Sequence, residues 1–307
     1  MQFFYYIITF ILGTAVGSFI NNTAERLYRG EKINGRSHCE HCNKTLSASD
    51  LVPLFSYIFL KGKCRYCHTN LPKQYIIIEI ITGIIFTLIY HLVSTKAFVS
   101  ADYLNNSVHF VDFGIFVPLI FFYIVTTSLL ILFITDFKYG MLYDKVVLPT
   151  ILFVFCYRIL VIAYNYFHIY SYLNKTELGQ YFIRSGLALN RVQFSSNIFL
   201  YTLLGSIAIA SFFLLLIIIT KGRGMGGGDL KLGFLIGLLS GWPNMVISIF
   251  IGFLTGAVVS CILLLVRKRT VGQTIPFGPF LILGCFIVMF FGDQLFGWYI
   301  NDILGLR

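Results

Sequence analysis

The 307-residue sequence predicts an all-α polytopic membrane protein of about eight transmembrane helices, with a small cytoplasmic zinc-binding domain. Three observations predict this class. Hydrophobic residues make up 57% of the chain and charged residues 12%, against about 45–50% and about 25% in soluble domains. The mean hydropathy of +0.82 excludes both an ordinary soluble enzyme and a disordered chain. Apolar runs recur at close to the roughly 20 residues that a bilayer-spanning helix needs. Finally, four cysteines fall in two C-x-x-C pairs within the one long polar segment near the start.

The elements follow in order. An apolar run over 3–20 lacks a basic leader and a small-residue cleavage site, so residues 1–20 read as an uncleaved first transmembrane helix. The polar segment 21–73 comes next. Further apolar runs cover 75–93, 114–135, 146–167, 197–220, 230–241, 244–266 and 275–300. The sixth of the eight spans is short and ends at Gly241-Trp242-Pro243-Asn244; merging it with its successor would leave seven. The polar stretch 168–195 reads as an exterior loop within a 74–307 membrane core.

Orientation comes from the basic residues. With 21–73 inside, that segment carries nine Lys and Arg and the loops on its side add eight, against five on the opposite face. This positive-inside asymmetry makes 21–73 cytoplasmic and puts both chain ends outside. The net charge of +10 is therefore an orientation signal in a lipid bilayer, with no nucleic-acid partner implied.

Cys39-Glu40-His41-Cys42 and Cys64-Arg65-Tyr66-Cys67 supply four thiolates, enough to close a tetrahedral site around zinc. A reducing compartment favours metal over disulfides, and a short polar segment needs such a staple. His38, His41 and His68 read as neighbours of a site already complete. Cys156, Cys261 and Cys285 read as small buried hydrophobes within spans.

Acids inside a bilayer are costly and mark function by default. Asp136 closes the third span and Asp229 opens the sixth, so both fall at the cytoplasmic membrane edge. Two close carboxylates share a proton: the ionised one can activate water, and the protonated one can polarise a carbonyl. That chemistry is peptide hydrolysis. The glycines before Asp229 leave room for an extended substrate backbone. Taken singly, Asp229 is also a helix cap and Asp136 a solvated helix end. A proton-coupled transporter would use the same acids, although inverted repeats and broken midplane helices are not evident. Glu79 also falls within a span, where an acid can serve as an interhelical polar anchor. The pairs Gly13/Gly17, Gly233/Gly237 and Gly252/Gly256 have the spacing of close helix packing.

Four features in order resemble the type IV prepilin peptidases, membrane aspartic proteases of the GxGD type. They are Gly17-Ser18-Phe19-Ile20-Asn21, the paired cysteines flanking Asp50-Leu51-Val52-Pro53-Leu54, Gly226-Gly227-Gly228-Asp229-Leu230-Lys231-Leu232, and Pro276-Phe277-Gly278-Pro279. The resemblance implies cleavage of the leader of prepilins or pseudopilins at the cytoplasmic face of a bacterial inner membrane. It also implies N-methylation of the new N-terminus with S-adenosylmethionine, with 21–73 as the methyltransferase region. The catalytic aspartates carry over onto Asp136 and Asp229. Tyr143 stands where the family has Pro, which leaves Asp144 as the alternative first aspartate.

Overall fold

The computed structural model describes residues 2–32, 35, 37–39, 41–42, 44–103, 115–175, 177, 180–181, 185, 187–222, 225–266, 275–303 and 305. Among these, helix is the only regular structure apart from two isolated β-bridges. The helices are α1 (Gln2–Arg29), α2 (Phe55–Phe59), α3 (Gln74–Tyr103), α4 (Phe116–Tyr139), α5 (Asp144–Leu173), α6 (Leu187–Ile219), α7 (Gly227–Ser240), α8 (Asn244–Leu265) and α9 (Gly278–Trp298).

Seven of these are long and apolar enough to cross a membrane. The eighth expected span is α7, whose 14 residues reach only about 21 Å at 1.5 Å per residue. An unaided crossing needs roughly 30 Å. The predicted first span is also too short, because α1 continues unbroken through Asn21 and Thr23 to Arg29. Of the expected 168–195 loop, 168–173 extend α5 and 187–195 open α6. Most of the residues between lie outside those described.

The chain divides into two compact units, residues 1–135 and 136–307. In the first, α1 lies along α3 through small residues. A Cβ on Gly13 would sit 2.8 Å from the Gly83 Cα, and one on Gly17 would sit 2.7 Å from the Glu79 Cα. Close backbone approach is what binds helices in lipid, where apolar surface alone gives little drive. Phe86 stacks on Tyr123 at 4.2 Å between ring centres, tying α3 to α4.

The second unit repeats the device. Gly233 and Gly237 of α7 accommodate Phe213 and Ser206 of α6, and Gly252 of α8 accommodates Leu281 of α9. Large apolar side chains such as Leu152, Phe250 and Leu265 point outward, as a lipid-facing surface requires. Two of the three span cysteines point outward as well. Cys156 and Cys261 are exposed and only Cys285 is buried, because a lipid face tolerates a thiol without enclosing it.

The last carbonyls of a helix have no partner within it, and leaving them unpaired in apolar surroundings is costly. Arg158 of α5 supplies the partners, donating from Nη2 to the carbonyls of Leu238 (3.3 Å) and Leu239 (2.8 Å) at the end of α7. The Thr202 hydroxyl takes the next N–H, that of Trp242, at 3.1 Å.

Candidate active site and metal centre

The four-cysteine segment is built from two copies of one knuckle. In the first, the Cys39 N–H donates to the Lys44 carbonyl and the Leu46 N–H to Ser37. In the second, the Cys64 N–H donates to Thr69 and the Leu71 N–H to Gly62, every partner lying 25 positions after its counterpart. The bridges His38–Thr45 and Lys63–Asn70 obey the same offset. This internal repeat escapes a reading of the sequence because few side chains besides the cysteines recur.

The two knuckles bring the sulfurs of Cys39, Cys42, Cys64 and Cys67 within 4.8 Å of one another. Cys39 Sγ and Cys67 Sγ stand 3.7 Å apart. Four sulfurs each about 2.3 Å from a central zinc would stand about 3.8 Å apart in a tetrahedron. The cysteines are free of disulfides, and the neighbouring histidines do not join the group. The Thr69 hydroxyl, 2.7 Å from Cys67 Sγ, pulls that thiol down to about 6, into the thiolate range a metal ligand needs. Arg65, between the second pair, reaches Asp50 at 2.8 Å. Burial works against the charge on Asp50, but hydrogen bonds from the Ser47 hydroxyl and N–H, with the Arg65 guanidinium, hold its carboxyl below the usual value.

The knuckles are fastened to the helices through Glu79. Leu54 has φ 60°, ψ −52° and lies between a Phe55 N–H and a Pro53 carbonyl hydrogen-bonded at 2.6 Å. This tight γ-turn is uncommon for a residue with a side chain. Its Leu54 N–H donates to Glu79 Oε2 at 2.8 Å. Ser18 of α1 also hydrogen-bonds Glu79. The anchor role expected for Glu79 is thus present, and the same carboxylate lines a cavity beside the knuckles.

In the second unit, Asp136 and Asp229 line one cavity of about 470 Å³, together with Leu142, Met225, Gly226, Gly228, Pro276 and Phe277. Both are buried, at 5% and 9% exposure, and their carboxylates interact electrostatically. Asp229 is the third residue of α7 and accepts the Gly226 N–H at 3.3 Å, so the cap expected of it exists alongside its place on the cavity. Gly226 and Gly227 have no packing neighbours that a side chain would strike, whereas Gly228 leaves room for Leu142. Asp136 Oδ2 is buried with no hydrogen-bond partner among the described residues. Asp144, the alternative, is held elsewhere: Lys231 Nζ binds its two oxygens at 2.7 and 2.8 Å on an exposed surface.

Two contributors were not legible as such in the sequence. One is Arg158, a charge inside the 146–167 apolar run whose partners lie at the distant end of α7. The other is Gly278, whose N–H binds Asp136 and whose missing Cβ would fall 2.5 Å from Asp136 Oδ2. The Pro-Phe-Gly-Pro motif could be quoted from the sequence, but only the fold shows which residue its glycine serves.

Fold and sites together define a polytopic helical membrane protein with a four-cysteine knuckle domain and a buried pair of aspartates. It belongs to the type IV leader peptidase family. The bacterial peptidase A24 N-terminal domain matches residues 11–93 and the type IV leader peptidase family matches residues 175–261. Three similar proteins, each named prepilin leader peptidase/N-methyltransferase, come from Stutzerimonas stutzeri, Pseudomonas aeruginosa and Bacillus subtilis. They are 24%, 26% and 25% identical, over 95%, 95% and 97% of this chain and 92%, 92% and 99% of their own lengths. No solved structure matches the chain. The cysteines, Glu79 and Asp229 lie inside the matched segments, while Asp136 lies between them.

Proposed function

We propose that this protein is a bifunctional prepilin leader peptidase and N-methyltransferase of the bacterial inner membrane, with Asp136 and Asp229 as its peptidase pair. The observation that carries the assignment is their meeting on one cavity while Asp144 is committed to Lys231. The peptidase substrates are prepilins or pseudopilins, bound extended across the open floor at Gly226 and Gly227. One carboxylate takes a proton from water as the water attacks the scissile carbonyl. The other, protonated, donates a hydrogen bond to that carbonyl oxygen and then passes its proton to the leaving amine. The cavity faces the cytoplasm, a placement supported by the excess of basic residues on that side. Nothing in the family matches favours the proton-coupled transporter.

The knuckles fit zinc by donor set and by sulfur spacing, and Cys39, Cys42, Cys64 and Cys67 would hold it as a structural ion with no open position. S-adenosylmethionine supplies the methyl group for the second reaction, which we place in the first unit, with 21–73 as part of it.

The test is cleavage of a purified prepilin followed by mass spectrometry. Asp136→Asn and Asp229→Asn should each reduce the cleavage rate at least about 1,000-fold, because neither an amide base nor an uncharged pair can replace the dyad. Cleavage persisting in both variants would overturn the assignment.

A further inference from the structure

We infer that α2 is an interfacial anchor: the face carrying Phe55, Ile58 and Phe59 inserts into the lipid leaflet beside the start of α3 and seats the knuckles on the bilayer. The inference is independent of both proposed activities and gives this face one partner, an anionic lipid surface.

Side chains at i, i+3 and i+4 share one face of a helix, and in α2 that face is apolar and turned outward. Phe55 is 61% exposed, Ile58 64% and Phe59 80%, and Val52 just ahead of them is exposed as well. The other side of α2 is turned into the protein. Tyr57 packs against Gly62, and its hydroxyl donates to the Leu71 carbonyl at 3.4 Å. Ser56 and Leu60 line the cavity beside the knuckles. A cluster of large apolar side chains held outward marks a surface for a protein or a membrane.

Depth decides for the membrane. The Leu54 N–H donates to Glu79 Oε2 at 2.8 Å, which fixes the head of α2 against α3. Glu79 is the sixth residue of α3, so its Cα lies about 7.5 Å along the axis from that of Gln74. The membrane-crossing part of α3 is Gln74–Thr95, 22 residues. That length makes about 33 Å against a hydrocarbon core of roughly 30 Å, which puts Gln74 at the edge of the core and Glu79 inside it. A helical side chain leans back toward the N-terminus, so the carboxylate meets Leu54 near the boundary between headgroups and acyl chains. Interfacial helices bury their apolar faces at that boundary. Ile77, Ile80 and Ile81 of α3 are exposed at the same level, so lipid is already the solvent there.

The backbone and the flanking charges suit that setting. Lipid offers no hydrogen bonds, and the N–H groups of Leu54, Phe55, Ser56, Ile58 and Leu60 all find acceptors within the protein, the first in the Glu79 carboxylate. Lys61 and Lys73 are exposed, one just past the end of α2 and the other just ahead of α3. There, long basic side chains reach anionic headgroups while their stems lie along apolar surface. Glu79 and the lipid contact thus hold α2 from two sides, and the knuckles with it.

The experiment reads the depth of position 59 in the full-length protein, reconstituted in nanodiscs of phosphatidylglycerol and phosphatidylcholine. Phe59→Trp is made together with Trp242→Phe and Trp298→Phe, which leaves position 59 as the only tryptophan. Lipids brominated near the headgroup end of the acyl chains should quench its emission at least about twofold, and more than lipids brominated near the tail end. Emission unquenched by both would place the face in water or against a protein and overturn the inference, as would shielding that appears only when prepilin is added. A second measurement needs no reporter. The combined variant Phe55→Ser, Ile58→Ser and Phe59→Ser should be cut by trypsin after Lys61 at least about tenfold faster than wild type in nanodiscs, because the freed segment opens more often. Retention of the metal of the four-cysteine site shows that its knuckles stay folded. Tryptic cleavage at the wild-type rate would show that this face holds nothing in place and would overturn the anchor.

Discussion

The two units place buried acids in opposite conditions. In the first, Glu79 joins three pieces of chain: Leu54 of the knuckle segment and Ser18 of α1 both bind it, and Gly17 packs on its backbone. In the second, Asp136 is equally buried and lines a cavity shared with another carboxylate; the Gly278 N–H binds it, but its buried Oδ2 has no partner among the described residues. Removing Glu79 would detach structure; removing Asp136 would leave the helices packed and take away only chemistry. Burial of an acid in a membrane protein is therefore ambiguous until its bonds are counted. Both units rest on glycine-lined helix packing, and the first adds a four-cysteine cluster in the polar segment that has no large apolar core of its own.

Metal removal should separate the units most sharply. A structural zinc site contributes about 10–16 kcal/mol of apparent binding energy in small domains, most of it folding energy. Cys39→Ser or a strong chelator should therefore empty the site, unfold the knuckles and abolish methylation. Cleavage by the second unit should fall far less, by less than about tenfold. Metal analysis with both assays on one preparation checks this, and full metal retention in Cys39→Ser would contradict the four-thiolate site.

Gly278→Ala should produce the converse. The added Cβ would fall 2.5 Å from Asp136 Oδ2, so the carboxylate or the start of α9 must shift. A displacement of about 1 Å at reacting groups costs on the order of 100-fold in rate. Cleavage should drop by that factor while metal content and S-adenosylmethionine binding stay unchanged. A variant that cleaves at the wild-type rate would show that the glycine is not required for the approach.

How much of this was legible beforehand differs between the units in the same physical way. The cysteine pairs, the apolar runs and the acids at span ends are local patterns, and helices form on those runs, although α1 runs past its expected end and α7 is too short to cross. The short α7 was visible as a short run closed by Gly241-Trp242-Pro243. What caps its end was not, because Arg158 is some 80 positions away. Likewise α1 runs on past Ile20: Asn21 and Thr23 look like the start of a loop but are buried, and Asn21 donates to Tyr75 of α3. Polar residues read as boundaries in a sequence, whereas in the fold they are partners.

Arg158→Met tests the most remote of those partnerships. It should leave the Leu238 and Leu239 carbonyls unpaired and lower the stability of the second unit by about 1.5–3 kcal/mol, the usual worth of hydrogen bonds to a charged group. Thermal unfolding in nanodiscs should show the loss, with Arg158→Lys recovering part of it through one remaining donor. An unchanged midpoint would mean that the end of α7 finds other partners.

The smallest expected effect bears most directly on the choice between two aspartates. Asp144 and Asp136 are eight positions apart, and the family pattern alone leaves both available. Their surroundings do not. Asp144 is 56% exposed in its side chain and neutralised by Lys231, and an exposed ion pair contributes only about 0–1 kcal/mol. Asp144→Asn should therefore change cleavage less than about fivefold, and Lys231→Met should change it by a similar amount, because each removes one half of the same contact. The double variant should be no worse than the more impaired single one. If Asp144→Asn instead abolished cleavage while Lys231→Met did not, the carboxylate itself would be needed at the cavity. The pairing with Asp229 would then belong to a rearranged start of α5, and the orphaned oxygen of Asp136 would need another explanation.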